Sequence, residues 1–154
     1  MFSFGQVPTY HSDVKFELGV SPDKHAFTLT FGNLQVAVQS GKSPAPMATR
    51  LFYLALPLED GGKGVEIAFA VSGAVATLEG ATGTMVFSVN GQTIVADFPA
   101  NSDQSYVQQL KFKAEAASEC RLGVFLLAGR DSNNSNAEAF LNVTSIDAEI
   151  QPSR

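Results

Sequence analysis

"FSVNGQTIV", residues Phe87–Val95, is the stretch that decides the fold. At its centre stands Asn90-Gly91, the pair that a two-residue type I′ turn calls for, because both turn positions need φ > 0. On either side lie β-branched residues and Phe, which suit a pleated, half-buried surface. The stretch therefore predicts a tight hairpin of two antiparallel strands.

The same pattern extends outward in both directions. "VKFELGV" puts Val14, Phe16, Leu18 and Val20 on one face, with Lys15 and Glu17 on the other. "AFTLTF" sets Phe27, Leu29 and Phe31 against Thr28 and Thr30, and "LQVAVQ" repeats the pattern at Leu34, Val36 and Val38. "VEIAFAV" alternates through Val65, Ile67, Phe69 and Val71, and "YVQQLKFKAEA" through Leu110, Phe112 and Ala114. A period of two marks strands with one buried face. "RLFYLALP" (50–57) and "RLGVFLLAG" (121–129) are apolar on both faces and read as central or covered strands. Phe52, Leu54 and Leu56 make one candidate apolar face of the first, and Leu51, Tyr53 and Ala55 the other. One should meet the core and the other a neighbour or a covering loop.

Gly, Pro, Asn and Asp punctuate the strands in "VSPDKH", "LEDGGKG", "LEGATG", "FPANSDQ" and "GRDSNNSN". No sustained helical stripe occurs, and Ala116–Glu119 is at most a short turn. The count is about ten strands spaced roughly ten residues apart, the rhythm of a sandwich or barrel. The expectation is an all-β fold with little or no helix: an antiparallel β-sandwich, with a jelly roll as its candidate form, in one domain over residues 1–154. Residues 40–48 read as a connection crossing between sheets or an extended surface loop.

The last segment, "AFLNVTSIDAEI", alternates through Leu141 and Val143, then slips phase so that Ile146, Ala148 and Ile150 share a face. A one-residue slip predicts a bulge near Thr144–Ser145. A closing strand of this kind is expected beside the first strand. It resembles the ending of jelly-roll carbohydrate-binding modules. Those modules present Trp or Tyr to sugars, whereas this chain has no Trp and only Tyr10, Tyr53 and Tyr106. No family is assigned from that segment.

Composition narrows the function. With 45% hydrophobic residues against 16% charged, the chain has material for a core. Twelve Phe without Trp indicate buried packing rather than ligand platforms. The net charge is −5 and the basic residues are scattered, so no positive stripe offers itself to nucleic acid or to an anionic membrane. No apolar run approaches the roughly 18 residues of a membrane-spanning helix. "MFSFGQVPTYHSD" has neither a basic nor an apolar leader region. Localisation is open between the cytoplasm and a mature exported form whose leader was removed.

Catalytic signatures are thin. His11-Ser12-Asp13 holds the three residue types of a hydrolase triad, but adjacent residues cannot form one, and the reading is a polar turn. His25 lies apart in another turn. Glu59, Asp60, Glu66, Glu79, Asp97 and Glu115 single out no acid–base pair. "LEDGGKG" does not match a phosphate-binding loop, since a strand rather than a helix follows its Lys63-Gly64. Cys120, the lone cysteine, reads as buried filler at the start of an apolar strand.

The polar stretch Asp131–Asn136 is the remaining candidate. Asp131, Asn133 and Ser135 stand at i, i+2 and i+4, like the start of a calcium loop, and are the candidate metal ligands. A calcium loop of the helix–loop–helix type is rejected, because the glycine at position six and the closing Glu at position twelve are missing. As a ligand loop, the contacts would be Asp131, Asn133, Asn134 and Asn136. The default is an exposed turn held by Asx bonds.

Two functional readings follow. The first is a non-catalytic structural or assembly subunit that self-associates into a homo-oligomer or packs on other protein subunits. The alternative is a module binding a small ligand or a carbohydrate, with calcium as the one candidate cofactor. Neither is an enzyme.

Overall fold

The computed structural model describes residues 3–5, 8–10, 13–41, 45–59, 64–114, 119–131 and 133–151. Its strands are β1 (Ser3–Phe4), β2 (Thr9–Tyr10), β3 (Phe16–Val20), β4 (Ala26–Phe31), β5 (Gln35–Val38) and β6 (Met47–Glu59), followed by β7 (Val65–Leu78), β8 (Thr82–Val89), β9 (Gln92–Phe98), β10 (Asp103–Ala114), β11 (Glu119–Gly129) and β12 (Glu138–Gln151). Among the described residues there is no helix, and hence none long and apolar enough to cross a membrane.

The hairpin of Phe87–Val95 is the tip of the whole design. Asn90 has φ 48° and Gly91 φ 89°, and β8 pairs with β9 from Val89↔Gln92 outward, as a type I′ turn requires. The pairs nest around it: β7 with β10, β6 with β11, and β4 and β5 with β12, all antiparallel. A long hairpin has in effect been rolled up. Two further ladders close the roll, β11 on β8 and β12 on β7. One sheet then reads β1-β6-β11-β8-β9, with β2 also on β6, and the other β10-β7-β12-β4-β3, with β5 also on β12. This is the double-sheet order of a jelly roll. The chain passes from β5 in the second sheet to β6 in the first, the crossing that was one of the two readings of residues 40–48, of which 42–44 lie outside the described residues.

Asn90 does more than turn. Its Oδ1 accepts the Arg121 N–H at 2.6 Å and its Nδ2 donates to the Glu119 carbonyl at 3.1 Å, which pins the hairpin tip to the start of β11.

The core between the sheets is largely phenylalanine and branched aliphatics. Phe27 on β4 lies 4.7 Å from Phe4 on β1 and 6.3 Å from Phe69 on β7, and Phe69 lies 5.7 Å from Phe87 on β8. Phe52 takes Phe16 and Phe31 edge-on at 5.6 and 4.8 Å. These rings join the sheets through favourable tilted and edge-to-face contacts.

Three expectations change. Two extra strands, β1 and β2, bring the total above ten; each has two residues, too few for any periodicity to register. The closing strand β12 does not lie beside the first: β12 is the outer arm of the rolled hairpin, while β1 and β2 sit on β6 in the opposite sheet. In β6, Phe52, Leu54 and Leu56 face the core as one set, but the other set divides: Ala55 is covered and Leu51 is 61% exposed. The phase slip of the last segment is a register shift between Val143 and Ser145. Residues 115–118, where a short turn was expected, lie outside the described residues, as do His11, Ser12 and Asp60.

Candidate functional site

The polar loop after β11 joins two strands, with Asp131, Asn133 and Asn136 exposed and Asn134 and Ser135 half-buried. Its oxygens largely serve the loop itself. Asp131 Oδ1 accepts the Asn133 N–H at 3.0 Å, an Asx turn, and the Asp131 carbonyl accepts the Asn134 N–H at 3.0 Å. The Asn134 side chain donates to the Glu79 carbonyl. Arg130 gathers the rest: its guanidinium donates to the carbonyls of Asn134 at 3.0 Å, Asp131 at 3.4 Å and Gly41 at 2.9 Å. A cation thus already occupies the space on which these carbonyls converge. Among the described residues no three His, Cys, Asp or Glu side chains lie close enough together to hold a metal ion.

The other sequence candidates are dispersed. His25 Nδ1 lies 3.7 Å from Asp23, whose carboxyl is held below its ordinary value chiefly by the Ser21 hydroxyl and the His25 N–H. Glu66 pairs with Lys111 at 3.7 Å, and Asp97 accepts the Thr84 hydroxyl at 2.9 Å in the other sheet. Cys120 is fully buried, and burial, with a smaller push from the Glu119 charge, raises its thiol to about 12. The nucleophile is the thiolate. The folded chain should therefore resist a thiol-labelling reagent at pH 8 and react fully once unfolded; rapid labelling of folded protein would contradict this.

Two concavities lie on the outer face of the β10-β7-β12-β4 sheet. Every outward residue of β7 between its ends is small: Ala68, Ala70, Ser72, Ala74 and Ala76. The neighbouring strands carry longer side chains at most of the same levels, Ser105 beside Ala74 and Ser145 beside Ser72 being short. Register places Lys111 and Glu149 beside Ala68, Gln109 and Asp147 beside Ala70, and Val107 and Ser145 beside Ser72. Asn142 then lies beside Ala74 and Phe140 beside Ala76. A small-residue floor between two taller walls is a trough, about 27 Å long at the usual rise per residue. Near its ends lie hollows of about 330 Å³ over Ala68 and Ala70 and about 460 Å³ beside Ala76, Leu78 and Phe140.

The trough is braced at its middle, where β12 bulges. Asn142 Oδ1 accepts the Ala74 N–H at 2.7 Å and the Thr144 hydroxyl donates to the Ser72 carbonyl at 3.1 Å, replacing ladder bonds that the register shift displaces. From β10, the buried Tyr106 crosses beneath Gly73 and donates to the Asn142 carbonyl at 2.6 Å. Burial raises the phenol above its ordinary value, so it stays a donor. Near one end, Asp147 accepts the Thr28 hydroxyl at 2.6 Å. The sequence did carry a signal for the floor, the unbroken Ala/Ser series at every second position of β7, but small residues read as filler without their neighbours.

Comparison with known proteins adds little. No protein-family model matches the chain, and no curated protein matches it. Among solved structures, the carbohydrate-binding module TmCBM61 in complex with β-1,4-galactotriose superposes with a TM-score of 0.37 at 7% identity, over 91% of this chain and 90% of that one. The C-terminal CBM6 of the laminarinase LamC from Zobellia galactanivorans gives 0.34 at 10% identity, over 97% and 98%. The enzymatically active domain of bacteriophage CBA120 tailspike protein 4 gives 0.29 at 10% identity, over 98% of this chain but 19% of that one. Likenesses this distant concern the fold alone.

Proposed function

We propose that the chain is a non-catalytic binding module that holds an extended, neutral, polyhydroxylated chain, a glycan, in the trough along β7. The observation that carries this reading is the pairing of an apolar floor with walls of mixed hydrogen-bonding character. Alanine methyls offer the C–H faces of sugar rings a flat surface. Asp147 and Glu149 accept, Lys111 donates, and Gln109, Asn142 and Ser145 do both, which suits hydroxyl groups that are donor and acceptor at once. Lys111 stands across the floor from Glu149 and Gln109 from Asp147, and Asp103 lies beside Ala76, so the carboxylates of this face disfavour an anionic chain. Phe140 supplies a ring at one end, where the expectation of purely buried phenylalanines does not hold.

A peptide fits less well, because strand addition needs free backbone groups and those of β7 are paired on both sides, with β10 and β12. Asp147 and Glu149 share one wall, whereas glycosidase carboxylates flank the scissile bond. Self-association is compatible with this reading, since the apolar outer face of the other sheet lies on the far side of the sandwich.

Calorimetric titration with a panel of soluble neutral and charged oligosaccharides tests the reading. At least one neutral linear oligosaccharide should bind, and Ala70→Trp, which fills the floor between Gln109 and Asp147, should weaken it more than tenfold while the far-UV spectrum is unchanged. Binding that survives Ala70→Trp, or no binding across the panel, would count against it.

A further inference from the structure

The outer face of the β6-β11-β8-β9 sheet has a chemistry of its own. Leu51 stands opposite Phe125, Phe125 opposite Val86, and Val86 opposite Val95. All four point away from the core, so a straight apolar row crosses four strands. Leu51 is 61% exposed, Val95 58% and Phe125 37%. Tyr53 and Leu127 flank the row half-buried, and Met47 extends it at the edge. Among the described outward residues of this face, apart from Glu59 and Glu119 at strand ends, the charges are Arg121 and Asp97.

We propose that this face is an interface between two copies of the chain, stacked sheet to sheet. The inference goes beyond the glycan reading and does not depend on it. Three observations favour a second copy as the occupant. The first is size: four strands at about 4.8 Å, over about eight residues of β6 at about 3.4 Å each, give a footprint of roughly 500 Å² per copy. Two such footprints make about 1,000 Å², the lower bound for a specific interface. The second is shape, since two sheets pack face to face with their mean strand directions within about 30° of each other. The third is self-complementarity. A two-fold axis along the row sets each apolar residue against its own counterpart, the isologous arrangement of closed dimers. The same rotation places Arg121 over the Gly129 position of the other copy and Asp97 over the Thr93 position, so no like charges meet. The two troughs are left on opposite outer surfaces, free to bind one multivalent ligand.

Light scattering and sedimentation of the full chain across a concentration range test the proposal. The expected result is twice the single-chain mass at high concentration. Phe125→Asp and Leu51→Asp should each weaken the dimer at least tenfold, and Val107→Asp, a 58% exposed site on the opposite outer face, should leave it intact. Far-UV spectra check that each variant is folded. If Phe125→Asp does not fold, Leu51→Asp, at a more exposed site on the neighbouring strand, gives the same reading. A single-chain mass at every concentration overturns the proposal and leaves the face to a different partner. A dimer that Val107→Asp dissolves and the row variants spare overturns it as well, by moving the contact to the trough face.

Discussion

Gly73→Ala should cost about 3 kcal/mol of stability, an effect at the upper end for a single added methyl. A Cβ built at Gly73 lies 2.1 Å from the Asn142 carbonyl oxygen, 2.6 Å from the Tyr106 hydroxyl oxygen and 2.7 Å from the adjoining ring carbon. The first of these is backbone in the β7–β12 ladder and cannot rotate away. The second belongs to a buried phenol held at 2.6 Å on that same oxygen. Either β12 bends out of register, or Tyr106 leaves and strands a buried polar group, a loss of about 1–3 kcal/mol by itself. For a chain of this size the melting temperature should fall on the order of 10 °C. Gly19→Ala is the control, because its Cβ meets nothing within 4 Å. Urea denaturation of both variants checks the prediction, and a Gly73→Ala midpoint equal to that of the unmutated chain would contradict it.

Phe69→Ala should cost about 3–5 kcal/mol, the range for deleting a buried aromatic ring. Phe69 is 1% exposed and sits between Phe27 and Phe87, so its loss interrupts the ring series that joins the two sheets. The backbone on both sides is held in ladders with β10 and β12, which limits collapse into the space left behind. Phe125→Ala, a ring 37% exposed on the outer face, should cost well under half as much in the monomer. Equal losses at the two positions, measured by urea denaturation, would contradict this account of the core.

How much of this the sequence announced depends on range. The Asn90-Gly91 hairpin was legible because its turn geometry restricts residue type at adjacent positions. The bulge after Val143 was legible because a register slip must shift the apolar phase. The inward faces of β4, β5 and β7 followed from alternation alone. The nesting of pairs was not legible: β12 meets β4, β5 and β7 across long separations, and a period of two says nothing about which strand is the neighbour. The trough was hidden for the same reason. Ala68–Ala76 becomes a floor only when longer side chains of β10 and β12 stand on either side.

The loop at Asp131–Asn136 was legible as a polar turn between two strands, but its bonding partners were not. Asp, Asn and Ser at alternate positions have the composition of a ligand loop, but the Asp131 side chain closes an Asx turn and the Asp131 and Asn134 carbonyls accept from a neighbouring arginine. Arg130 was visible in the sequence; that its guanidinium would reach Gly41, across the sandwich connection, was not.

Binding in the trough is the central claim, and amide-resolved NMR during titration with a neutral linear oligosaccharide tests it most directly. The account predicts chemical-shift changes concentrated on Ala68, Ala70, Ser72, Ala74 and Ala76 and on their neighbours Gln109 and Asp147. Changes confined to Asp131 and Asn133–Asn136, with the β7 amides unmoved, would contradict it.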